Sequence, residues 1–207
     1  MIVHDVEQGS DQWRALRMGV VTASRIDKII TPKTMKPSSS AMRLMGEMIA
    51  EKWTGMPMDT ASSAFMERGS IMEAEAVRAY EMLRDVDTRK VGFVTLDNGL
   101  VGCSPDRLVG DDGILEIKVA SAGIHVMALL GECDDDYRCQ CQCQLWVTER
   151  KWVDLSFYSP VMPPATVRAV RDEKFIEAMS ELTAQFLDRM ADAERRLGLP
   201  ERLQRTA

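Results

Sequence analysis

Residues 104–118 read S-P-D-R-L-V-G-D-D-G-I-L-E-I-K. Asp106 lies on the arm GLVGCSPDRLVG (99–110), the GDDG turn (110–113) reverses the chain, and ILEIKVA (114–120) forms the next strand. Side chains two apart on a strand share a face. Glu116 and Lys118 therefore project together, while Leu115, Ile117 and Val119 point the other way, towards a core. The parse predicts an acid, a second acid and a lysine meeting at one edge of a buried hairpin.

Outward from this hairpin the hydrophobic period changes. VGFVTL (91–96) reads as a strand joined through the Asp97–Asn98–Gly99 turn. Upstream the period is helical. Ser10 is placed to cap a helix carrying Trp13 and Leu16, and Thr22 or Ser24 to cap a short one with Ile26, Ile29 and Ile30 inside. Residues 31–40 (TPKTMKPSSS) read as a flexible basic loop. Residues 41–53 form a helix with Met42, Met45, Met48, Ile49 and Trp53 on its inner side, stopped by Gly55. A helix over 63–84 buries Met72, Val77, Tyr80 and Leu83. Downstream, 123–130 and 137–147 read as helices, although strict alternation in the latter could imitate a strand. WVDLSFYS (152–159) reads as a strand, and 165–197 as one amphipathic helix. This order predicts a single α/β domain over 1–207, with a central mixed sheet flanked by helices.

Composition narrows the function classes. Of 207 residues, 45% are hydrophobic and 28% charged, as in a globular protein with one sizeable core. No run of about 18 apolar residues could span a bilayer. The first residues (MIVHDVEQGSDQW) carry acids where a secretory signal needs bases, so a cytoplasmic protein is expected. Five cysteines stand at 103, 133, 139, 141 and 143, three of them alternating with glutamine. One-residue gaps do not match the spacing of common zinc sites, so they read as small buried apolar groups. With two histidines, His4 and His125, a histidine-rich metal site is excluded. The net charge of -6 argues against a protein that merely coats DNA, since phosphate neutralisation supplies most non-specific affinity. An enzyme with its bases gathered in one channel stays open.

Phosphodiester hydrolysis needs the chemistry gathered around the hairpin. Carboxylates hold Mg²⁺, which favours oxygen ligands, and the ion polarises a phosphoryl group and acidifies bound water. A partly buried lysine can orient or deprotonate the attacking water. Taken alone, E-x-K is more often a solvated strand face. With P-D ten residues upstream across a turn, the two readings stand level.

Five stretches decide between them: WRALRMGVVTAS (13–24), ERGSIME (67–73), CSPD (103–106), LEIK (115–118) and YRCQCQCQLWVT (137–148). In this order and spacing, from about Glu7 to about Arg189, the chain resembles the phage lambda exonuclease-type (YqaJ-like viral recombinase) family of PD-(D/E)XK nucleases. The resemblance implies that Asp106 and Glu116 bind metal with the Ile117 main-chain carbonyl. It makes Lys118 the catalytic lysine and Glu73 a helix-borne glutamate that organises metal and water. Gln140 and Gln142 match the two glutamines of the Y-x-x-Q-x-Q motif, Gln140 as the active-site member and Gln142 on the DNA side. Gln144 lies one turn beyond Gln140 and is not required by the motif. Arg17, Thr22 and Ser24 match residues that contact a terminal 5′-phosphate, with Ser104 beside them and Trp13 as a support. Lys33 is the nearest candidate for a residue that wedges the duplex; otherwise its loop simply touches phosphates.

The resemblance further implies an alkaline-type Mg²⁺-dependent deoxyribonuclease, with two ions per site and Mn²⁺ as a substitute. It would digest double-stranded DNA 5′-to-3′ as a homotrimeric ring, release mononucleotides and leave a 3′ strand for a single-strand annealing recombinase. A phage or prophage gene expressed in a bacterial host is implied too. Two rival readings are a restriction or repair endonuclease on the same core and an inactive DNA-binding assembly subunit.

Overall fold

The computed structural model describes residues 1–58, 63–132 and 135–199. Cys133 and the side chains of 67–71 in the ERGSIME motif lie outside the described residues. The chain runs β1 (Ile2–His4), α1 (Asp11–Arg17), β2 (Val21–Thr22), a 3-10 helix (Ala23–Lys28), α2 (Ala41–Thr54), α3 (Ser63–Arg84), β3 (Thr88–Arg89), β4 (Phe93–Thr95), β5 (Val101–Cys103), β6 (Arg107–Val109), β7 (Gly113–Lys118), α4 (Ala122–Leu129), α5 (Asp136–Thr148), β8 (Trp152–Phe157), β9 (Ala165–Val170) and α6 (Glu173–Arg196).

The strands form two mixed sheets, ordered β1-β4-β5-β2 and β3-β6-β7-β8-β9. The chain leaves the first sheet at Cys103 and enters the second at Arg107, so Ser104–Asp106 forms the seam between them. β7 runs antiparallel to β6, with Arg107 opposite Leu115, and parallel to β8, with Glu116 beside Leu155 and Lys118 beside Phe157. The first residue of β7 is Gly113 because the Trp152 ring of β8 lies against it: a Cβ there would come within 2.1 Å of that ring.

α5 explains the CQCQCQ alternation. Cys139, Cys141, Cys143, Leu145 and Val147 are all buried, and so are Gln142 and Gln144. A helix enclosed on nearly every side has no solvent stripe, so the alternation of residue types carries no strand period. The four described cysteines are buried and form no disulfide among the described residues, small buried groups as the sequence implied.

α3 covers the other face of the second sheet, burying Val77 and Tyr80 against Val109 and Leu115. The Tyr80 hydroxyl donates to Asp154 at 2.7 Å, and Arg168 donates to both oxygens of the same fully buried carboxylate at 2.6 and 2.8 Å. This network ties the helix that carries Glu73 to β8 and β9.

Several local readings hold. Ser10 accepts from the Trp13 N–H at 3.2 Å as the cap of α1, and Gly55 ends α2 at φ 67°. Ile26, Ile29 and Ile30 are buried, although Thr22 makes no side-chain cap bond. Others change. Residues 165–170 pair residue for residue with β8 as an antiparallel strand, so the final helix begins only at Glu173, where Asp172 accepts from the Phe175 N–H at 3.1 Å. A-T-V-R-A-V offers three β-branched residues, Thr166, Val167 and Val170, and partner β8 decides the conformation.

The 31–40 segment is drawn together by Thr31 N–H to the Lys36 carbonyl at 2.9 Å and by the Ile30–Pro37 bridge. Met42 and Trp53 of α2 and Leu83 of α3 are exposed, not inward. The strands β1, β2 and β3, of two or three residues each, carry too few residues to show a period. Among the described residues no helix is long and apolar enough to cross a membrane.

Candidate active site

β7 presents Glu116 and Lys118 on one face, as their spacing requires, and Lys118 Nζ lies 2.9 Å from Glu116 Oε1. α5 supplies Tyr137, Gln140 and Gln144 at i, i+3 and i+7, a single helical face. Gln140 spans the pair, accepting from Lys118 Nζ at 3.0 Å and donating to Glu116 Oε1 at 2.6 Å. Its amide is thereby oriented, because only the oxygen can accept from an ammonium group. Gln144 donates to the other oxygen, Glu116 Oε2, at 2.7 Å. The Tyr137 ring lies 5.1 Å from Lys118 Nζ, within cation–π range.

Asp106 comes from the seam. Its Oδ2 accepts the Ile117 main-chain N–H at 2.6 Å, which sets the first acid against the backbone between Glu116 and Lys118. Burial, then the charge of Glu116, raises the Asp106 carboxyl well above the ordinary carboxylate range, against the pull of the Ile117 N–H and Lys118. Burial pulls Lys118 down, but the Glu116 carboxylate outweighs it and the ammonium form is favoured.

These groups suit a hard divalent cation. A withdrawn carboxyl whose proton affinity is raised by a neighbouring carboxylate, as Asp106 is by Glu116, is what such an ion would relieve. Among the described residues no three His, Cys, Asp or Glu side chains converge as a ready cage. The donors on hand are Asp106, Glu116 and the Ile117 carbonyl, a sparse oxygen set of the kind Mg²⁺ completes with water.

Glu73 is held beside this centre. Its Oε1 accepts from Arg107 at 2.7 Å, and Arg107 also reaches the Asp106 carbonyl oxygen. An open cleft of about 560 Å³ borders this side, lined by Glu7, Gln8, Glu73, Lys90, Asp106 and Arg107. Gln8 donates to the carbonyls of Val91 and Pro105, each at 2.9 Å, bracing the seam next to Asp106. No motif marked Gln8 or Arg107 in the sequence; only the adjacency of Arg107 to Asp106 could have drawn attention to it.

A second polar corner adjoins the seam. Ser104 Oγ accepts from Trp13 Nε1 at 2.8 Å and lies 3.5 Å from Arg17, whose guanidinium stacks 4.2 Å from the Trp13 ring. Thr22 and Ser24 share a 3.2 Å hydroxyl contact. β2 pairs Thr22 with Gly102, two residues before Ser104, so the five residues gather at one end of β5. Thr22 is buried and Ser24 exposed.

Two assignments fare differently. Gln142 does not face the site: its Nε2 donates to the Val170 carbonyl at 2.8 Å and its Oε1 accepts the Asp172 N–H at 2.9 Å. Two residues along a helix turn a side chain about 200° from Gln140, so its amide ties α5 to the β9–α6 junction and is not offered to DNA. Lys33 extends into solvent with its ammonium 3.3 Å from Asp135.

A mixed sheet whose hairpin joins two acids and a lysine, with a helix closing over them, defines the core of a PD-(D/E)XK nuclease. Within that class the chain belongs to the YqaJ-like viral recombinase domain family, whose profile matches residues 12–151. LHK-Exo, an alkaline exonuclease from Laribacter hongkongensis, is similar over 91% of this chain and 98% of its own, at 28% identity and a TM-score of 0.75. Its complex with dAMP matches over the same shares at 29% identity and a TM-score of 0.77. A phage-related exonuclease from Haemophilus somnus shares the fold at 18% identity, over 86% of this chain and 96% of its own, with a TM-score of 0.69. No curated protein matches the chain.

Proposed function

We propose that the protein is a Mg²⁺-dependent exonuclease that degrades double-stranded DNA 5′-to-3′ from a 5′-phosphorylated end. The observation that carries this reading is the closed set of contacts among Glu116, Lys118 and Gln140, with Asp106 set against the same strand. Asp106, Glu116 and the Ile117 carbonyl would hold the cation, Mn²⁺ serving as a substitute and a second ion joining with substrate. When bound, the ion supplies charge neutralisation at the phosphate and acidifies water.

Lys118 keeps a cation beside Glu116 and, as substrate enters, orients the attacking water through its ammonium hydrogens. Gln140 restrains both groups. Glu73, steadied by Arg107, borders the cleft through which DNA would approach. Arg17, Ser24 and Ser104 supply the guanidinium and hydroxyls that suit a terminal phosphate dianion, with Thr22 behind Ser24. Release of mononucleotides accords with the dAMP complex described for LHK-Exo.

A homotrimeric ring around the duplex would reconcile processive digestion with a net charge of -6, because enclosure replaces electrostatic attraction. The 3′ strand left behind would pass to a single-strand annealing recombinase in the cytoplasm of a bacterial host.

End-labelled linear duplex and covalently closed plasmid, each incubated with Mg²⁺, test the reading. Release of 5′ label as mononucleotide from linear DNA only is expected. Cleavage of closed circles would favour an endonuclease, and first release of 3′ label would reverse the polarity. Lys118→Ala should abolish hydrolysis with the fold intact; full activity in that variant would contradict the assignment.

A further inference from the structure

We propose that Gln144 is a positioning residue that locks the Glu116 carboxylate for a divalent cation, an inference that rests on Glu116 being a metal ligand. Glu116 carries donors on both oxygens. Lys118 and Gln140 meet Oε1, and among the described residues Gln144 alone meets Oε2, at 2.7 Å. Three donors on two oxygens fix the plane of the carboxylate, which would otherwise turn about its last single bond.

The donors differ in freedom. Lys118 and Gln140 are partly buried, whereas Gln144 is 1% exposed on a helix whose neighbouring Cys143 and Leu145 are fully buried. Gln144 therefore cannot follow the carboxylate if it turns. With Oε2 anchored from the interior and Oε1 held by Lys118 and Gln140, the plane of the carboxylate is set before a cation arrives.

A second observation separates this role from packing. The Gln144 Oε1 is buried and has no hydrogen-bond partner among the described residues. An amide with half its polar capacity unmet is a poor choice for stability, because a desolvated, unpaired acceptor is unfavourable. A side chain of similar length without the amide would fill the same space. What the amide adds is the N–H on Glu116.

Isothermal titration of Mn²⁺ into the full-length protein and its Gln144→Met variant, with metal-free melting measured alongside, tests the inference. The variant should bind Mn²⁺ about 10-fold more weakly, the lower range for groups that orient metal ligands, and its metal-free melting should stay close to wild type. Gln144→Asn, one methylene too short to reach Oε2, should show the same shift and serves if the methionine variant does not fold. Equal Mn²⁺ affinity in variant and wild type overturns the role of Gln144 alone. So does a loss of affinity accompanied by an equivalent loss of metal-free structure. Wild type that binds no Mn²⁺ overturns the metal-site reading beneath it.

Discussion

Asp106 and Ile117 are joined by a 2.6 Å hydrogen bond from the Ile117 main-chain N–H to Asp106 Oδ2, across the hairpin that separates them in sequence. The bond fixes the first acid on the backbone that bears the second acid and the lysine. Burial and the nearby charges of Glu116 and Glu73 nevertheless oppose ionisation of Asp106.

The consequence is a pH-dependent weakness of the metal-free protein. A carboxyl whose folded-state pKa lies above its unfolded value binds protons more tightly when folded. Its ionisation therefore destabilises the fold progressively as pH rises from the unfolded pKa through the folded one. Asp106→Asn keeps an acceptor for the Ile117 N–H and removes the charge. In chelator, calorimetry should find this variant melting higher than wild type at pH 8, with the gain vanishing near pH 4. A lower melting temperature at pH 8 would show that the charge does not oppose folding.

Metal addition should produce the opposite trend in wild type. At a concentration 100 times its dissociation constant, a cation bound only by the folded state stabilises it by about 2.7 kcal/mol. For a chain of this size that is a rise of roughly 5–10 °C. Glu116→Gln should lose most of this rise in Mg²⁺ or Mn²⁺, and thermal melting at graded metal concentrations measures it. An undiminished rise in the variant would place the ion elsewhere.

Gln140 and Gln142 should separate cleanly in mutagenesis. Gln140→Leu removes the amide that holds both Lys118 and Glu116 and should reduce turnover by roughly 10- to 100-fold. Gln142→Ala leaves a backbone acceptor at Val170 and a donor at Asp172 unmet, and should cost about 1–3 kcal/mol of stability with little change in turnover below the melting transition. Denaturant unfolding paired with turnover assays distinguishes them; the reverse pattern would reassign both residues.

Arg17 stacks on Trp13 beside Ser104 in the corner assigned to the DNA end. Arg17→Ala should slow digestion of 5′-phosphorylated ends by about 10-fold, the size of one lost hydrogen bond to a charged group. Ends bearing a 5′-hydroxyl should be little affected. Parallel rates on the two duplexes check this, and an equal loss on both would make Arg17 a structural residue.

Much of the site was legible before folding because strand geometry is local. P-D, a turn and E-x-K place Glu116 and Lys118 on one face wherever the hairpin forms. The helix readings at 41–53 and 63–84 succeeded for the same reason: their periods repeat over three or more turns. The reading of 165–170 as helix failed because six residues carry a weak period and β8, a distant partner, settled the matter. Met42 and Trp53 follow the helical period of α2, but both are exposed, and no element among the described residues covers them.

The alternating glutamines show where local reading ends. Their helical conformation and the identity of Gln140 could be read from the residues and the family they resemble. Whether Gln142 or Gln144 turns to Glu116 depends on how α5 is rotated within a core that encloses it. The sequence by itself determined the hairpin, its acids and lysine, and hence the class of chemistry. The tertiary structure alone decided what surrounds that trio, Gln144 on Glu116 and Glu73 on Arg107 beside Asp106, because hydrogen bonds between distant segments depend on packing angles that no local period encodes.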